Sequence, residues 1–294
     1  MINFRYHVVS IIGIFIALAV GVVLGAGPLQ RSINAGMNPS SSQAASDPVL
    51  SAQAEAEAAG LKALASSTLT GSLTGTSVAL VVLPGASDDD VSAIRSTLTD
   101  AGASVVGRVT LTDNWQSTSM SQYRTTLATT LASHLQSSGA KTASADGVVG
   151  YSIVQVLTST GAETDLLRQI LTDKSTPLMT IDEDPAGKAT TLVAVGARAQ
   201  STMSTQASVA ASSDAWIGLG LAVGSTSGVV VGDASSREAM ISQIRTSGTA
   251  VTTVDSVGTT LASVNTALAL STASSGARAF GVGNGAQSVI PSSK

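Results

Sequence analysis

Four acidic positions carry the most suggestive chemistry in this chain. Asp88-Asp89-Asp90, Asp182-Glu183-Asp184, Asp233 and Asp255 each follow an apolar run that reads as a β-strand. In a parallel sheet the carboxyl ends of the strands share one edge, and ligands bind there. Carboxylates gathered on that edge can hold a hard cation such as Mg²⁺ or Ca²⁺, or a cationic peptide. Asp88, Asp89, Asp90, Asp182, Asp184, Asp233 and Asp255 are therefore the candidate ligand or cation edge. The plainer role for the same residues is to cap helices and turns, where Asp is an ordinary residue.

Other reactive side chains are scarce. The chain has no cysteine, which removes thiolate metal sites, redox motifs and cysteine nucleophiles together. Soft metal ions prefer thioether and thiolate ligands, and borderline ones take imidazole. The supply is two histidines, His7 and His134, and six methionines without M-x-x-M or H-x-H spacing. A lone Met is ordinary core filler, and a His ending a helix complements the carbonyl dipole. Gly281-x-Gly283-Asn284-Gly285 looks like a phosphate loop, but no helix is expected after it and Pro291 follows closely, so it reads as a glycine-rich surface loop. There is no G-x-S-x-G and no H-E-x-x-H. These absences point away from an enzyme, and no cofactor is evident. A net charge of −4 with no basic patch argues against a nucleic-acid partner.

The elements that would position these residues alternate strand and helix. Val78–Leu83 is a continuous apolar run, as expected of a strand buried on both faces. Strands are likewise predicted at 103–111, 178–181, 191–195, 228–231 and 250–254. Helices are predicted from about Asp88, and over 123–135, 148–157, 165–171, 208–223 and 257–270. Ser235-x-x-Glu238 has the form of a capping box opening a helix to about Arg245. The pattern predicts an α/β fold, with a mostly parallel sheet covered by helices in three layers.

The N-terminal stretch Val8–Leu29 is an apolar run of 22 residues. As a helix it spans roughly 33 Å, enough to cross a hydrocarbon core of about 30 Å. It is longer than a secretory signal's apolar region, and its one small-residue cleavage site would place Pro28 just after the cut, so an uncleaved anchor is expected. Gly13, Ala17, Gly21 and Gly25 line one face, where a second copy can pair closely. Arg5 before the span favours an N-terminus inside and a C-terminal domain outside the cytoplasm, at the cell membrane. The expected organisation is an anchor over 1–30, a spacer with a short helix over 31–75, and an extracytoplasmic α/β domain over 76–290.

Several segments, in order, carry a family likeness. They are Phe15–Gly25, Val81-Val82-Leu83-Pro84-Gly85-Ala86, Ala101–Val109, Val230-Val231-Gly232-Asp233, Thr252-Thr253-Val254-Asp255 and Ala267-Leu268-Ala269-Leu270. With them the chain resembles the actinobacterial copper transport protein B (MctB-like) family. The resemblance implies copper transport or homeostasis at the cell envelope, at the outer membrane by the family's description. Relatives are also linked to control of peptidoglycan hydrolysis through an outward-facing domain. Two functions are thus expected: copper homeostasis, with copper implied by resemblance alone, or a non-enzymatic module that positions or regulates a cell-wall hydrolase.

Overall fold

The computed structural model describes residues 48–199, 210–272 and 276–291. The chain divides into two compact units, Met1–Gln53 and Ala54–Lys294. The span read at Val8–Leu29, with Gly13, Ala17, Gly21 and Gly25, lies outside the described residues. Among the described residues no helix is long and apolar enough to cross a membrane.

The second unit holds a seven-stranded sheet. The elements of the described residues run α1 (Pro48–Leu69), which begins in the first unit, β1 (Ser77–Val82), α2 (Asp88–Asp100), β2 (Ser104–Leu111), α3 (Asp113–Gln116), α4 (Ser121–Ala132), α5 (Ala145–Thr158), α6 (Ala162–Leu171), β3 (Met179–Glu183), β4 (Thr191–Val195), α7 (Ser213–Gly224), β5 (Val229–Val231), α8 (Met240–Thr246), β6 (Thr252–Val254), α9 (Thr260–Ser271) and β7 (Ala279–Phe280). The strand order is β3-β2-β1-β4-β5-β6-β7. Every pairing is parallel except β2 with β3. The order reverses between β1 and β4, which is where a ligand crevice forms in sheets of this kind.

The alternation of side chains along β1 accounts for a core on each face. Ala79, Val81 and Leu83 join a cluster with residues of α4 to α8. Val78, Leu80 and Val82 join one with α1, α2 and α9, where Ala65 and Leu69 bury the second half of α1. A strand packed on both faces must be apolar throughout, as Ser77–Val82 nearly is.

Four local features differ from the sequence pattern, each for a physical reason. Strand β3 runs antiparallel, as an edge strand can. Strand β7 has two residues and was invisible as a strand. The capping box fails: α8 begins only at Met240, because Ser235 instead donates its N–H and its Oγ–H to the Asp233 carboxylate, at 2.8 and 3.0 Å. Helix α7 starts at Ser213 rather than near 208, and its glycines are positional. A Cβ at Gly218 would lie 2.5 Å from the Asp146 carbonyl carbon, and one at Gly150 would lie 2.7 Å from the Gly218 oxygen, so the backbones of α5 and α7 touch only through glycine.

Candidate functional site

At the switch between β1 and β4 the crevice holds the chain's own ion pair. Asp90, in the first turn of α2, is 4% exposed and receives both arms of Arg198, Nε at 2.7 Å and Nη2 at 2.6 Å. Arg198 follows β4 and stays half exposed, and the carboxylate beside it raises its pKa above the ordinary value. Gly85, at φ +80°, lets the turn after β1 pass close to Ala197. Asp89, Asp90 and Arg198 also form one end of a groove of about 650 Å³ between α1, α2 and α9, floored by Leu69, Ile94 and Val264.

A second crevice, of about 630 Å³, lies beyond the ends of β5, β6 and β7, and Asp233 and Asp255 both line it. Asp255 is 1% exposed and fully engaged. Its Oδ1 accepts the Ser256 hydroxyl at 2.6 Å and the Val282 N–H at 2.9 Å. Its Oδ2 accepts Arg245 Nη1 and the Gly283 N–H, both at 2.9 Å. Burial pushes the Asp255 pKa up, but the bonds from Ser256, Val282, Arg245 and Gly283 outweigh it and hold the carboxyl below its usual range. Burial dominates at Arg245 and lowers its pKa, in part against Asp255. The glycine loop over 281–285 therefore does bind an anion, and the anion is a side chain of the same protein.

The remaining predicted acids lie elsewhere. Because β3 is antiparallel, it runs toward the end of the sheet opposite Asp233 and Asp255, with Asp182 inside the strand, accepting from Thr110 Oγ1 at 2.6 Å, and Asp184 just past it. Each residue of the acidic run meets an arginine from a different element. Arg108 of β2 bridges Asp182 (3.4 Å) and Asp88 (2.6 Å), Arg95 of α2 grips Glu183 with both arms, and Arg168 of α6 meets Asp184 at 2.5 Å. The arginine bonds lower the pKa of Glu183 and of Asp184. The structure thus joins Asp88 to Asp182 through Arg108, joins Asp89 and Asp90 at one groove and Asp233 and Asp255 at one crevice, and does not bring all seven together. Among the described residues no group of three or more His, Cys, Asp or Glu could hold a metal ion.

Two polar clusters have partners that the sequence did not indicate. Arg124 is 1% exposed; it donates to Asp146 at 2.5 Å and to the Ser117 carbonyl at 2.7 Å, tying α4 to α5. His134, just past α4, meets Glu163 at 2.5 Å. An arginine on a helix of threonines looks solvated in sequence, and only the partner 22 residues later explains its burial.

A family model described as copper transport outer membrane protein, MctB, matches residues 1–291. The chain belongs to the MctB family. Among curated proteins none matches it. At family level it is thus a copper-transport protein of the cell envelope, in a family of transport proteins and not of enzymes. In the described part of this MctB-family chain, Met179, Met240 and His134 are engaged in other ways. Met179 and Met240 are core residues, and the Met240 methyl packs where a Cβ on Gly196 would stand 2.5 Å away. His134 is taken by Glu163. Met1, His7, Met37 and Met203 lie outside the described residues.

Proposed function

We propose that this chain serves copper homeostasis as a membrane-anchored interaction module, with Val8–Leu29 as anchor and the α/β domain facing away from the cytoplasm. The observation that carries this reading is the state of the strand ends. In the two crevices where a fold of this order would recognise a small ligand, Asp90 and Asp255 are already held by the chain's own Arg198 and Arg245. What the described domain offers a partner is its outer surface, including the groove between α1, α2 and α9. The anchor ridge Gly13, Ala17, Gly21 and Gly25 would pair two copies. The partner suggested by the family resemblance is a peptidoglycan hydrolase, positioned or regulated by contact.

The test is in-cell photocrosslinking from Ser66, Ser96 and Ser263, which line the groove. A specific adduct to a wall hydrolase, lost when the groove is filled by Ala93→Trp, is the expected result. Adducts that are absent, or unchanged by Ala93→Trp, would contradict a docking role for this face.

A further inference from the structure

We propose that Arg245 and the Gly281–Gly283 backbone form a carboxylate receptor, with Asp255 as its built-in ligand, and that this receptor will take a free small carboxylate once the Asp255 side chain is shortened. Four donors from three separate segments converge on two oxygens: the Ser256 hydroxyl, the Val282 and Gly283 N–H groups, and Arg245 Nη1. Arg245 is 7% exposed and has three further acceptors besides Asp255. Its Nη2 donates to the Phe280 carbonyl at 2.9 Å, its Nε to Thr253 Oγ1 at 3.0 Å, and its Nη1 also to the Asn284 carbonyl at 2.8 Å. The guanidinium is therefore held by three backbone and hydroxyl acceptors besides the carboxylate.

The loop side is equally pre-shaped. Gly281 sits at φ +126°, which side chains rarely adopt, and a Cβ there would overlap the Asp255 carboxyl group. Consecutive N–H groups aimed at one anion form a backbone nest, a structure otherwise used for phosphates and carboxylates. With two donors per oxygen and glycine closing one side, the cradle suits a flat carboxylate better than a tetrahedral oxyanion. The receptor has a consequence for the fold. Gln287 and Ser288 donate their N–H groups to Ala279, and the Gly281 N–H donates to Ser288, so the segment after the nest lies along β7. Occupancy of the nest thus decides whether the last described stretch of the chain stays on the sheet.

The experiment uses full-length protein in detergent, with limited trypsin digestion read by mass at the bond after Arg278, which adjoins β7. Asp255→Ala should raise cleavage there by about tenfold, because the C-terminal segment is released. Sodium formate at about 100 mM should restore protection in a saturable way, whereas sodium chloride at equal ionic strength and sodium phosphate should not. Formate should not protect Asp255→Asn, whose amide still fills the cradle, nor the Arg245→Met/Asp255→Ala double variant. If Asp255→Ala does not fold, formate in the refolding buffer should recover it where chloride does not. Equal protection by formate and chloride, rescue that persists without Arg245, or failure to recover folding in formate would each overturn the proposal.

Discussion

Asp255 spends its whole hydrogen-bonding capacity inside the protein, and the residues around it show what that demands. Gly281 must be glycine for two reasons, its φ of +126° and the carboxylate against its α-carbon. Gly248, at φ +71° with open space around it, has only the first. Gly281→Ala should therefore cost about 3 kcal/mol, and Gly248→Ala about 1 kcal/mol, in urea unfolding. A pH dependence follows from the same site. The folded-state pKa of Asp255 is depressed, as are those of Glu183 and Asp184. Their stabilisation is fully present above the unfolded carboxylate range of about 4 and is lost as pH falls through the lower folded values. Unfolding followed from pH 7 downward should show a flat region and then an acid limb that is shallower in Asp255→Asn. Glu183 and Asp184 sit half exposed, so screening makes their share of that limb small.

The elements separate two kinds of ion pair. Arg95–Glu183 pins the antiparallel strand β3 to α2 from the surface, while Arg124–Asp146 joins α4 to α5 with Arg124 buried. Glu183→Gln should change stability by about 0.5 kcal/mol or less, whereas Arg124→Met, which strands Asp146, should cost about 3 kcal/mol, both read by chemical denaturation. The same contrast marks what was legible in the sequence. Strands β1, β2, β4, β5 and β6 stand out because burial on both faces forces apolar runs such as Val229–Val231. The direction of β3 does not, because residue type is nearly indifferent to whether an edge strand runs parallel. Strand β7 is two residues long, and its pairing depends on Arg278 and Phe280 carbonyls meeting β6. The seven carboxylates were visible as strand-end residues, but the arginines that meet five of them lie as far as 108 positions away, as Arg198 does from Asp90. Reading 281–285 as a glycine-rich surface loop missed that the N–H groups of Val282 and Gly283 hold an anion. Only the fold shows which anion that is.

At the scale of the whole molecule, family and structure give complementary information. The family match over residues 1–291 ties the chain to copper transport at the cell envelope. The described α/β domain gathers no group of three or more His, Cys, Asp or Glu for a metal and commits its strand-end arginines to its own carboxylates. The proposed interaction-module role has the domain serve copper transport by contact with a partner. The most direct test is a competition titration of the full-length chain in detergent against a colorimetric copper(I) chelator, under reducing conditions. The account predicts that the chelator keeps its copper at every protein concentration. Withdrawal of one equivalent of copper(I) per chain, abolished by changing Met203 or His7, would contradict it.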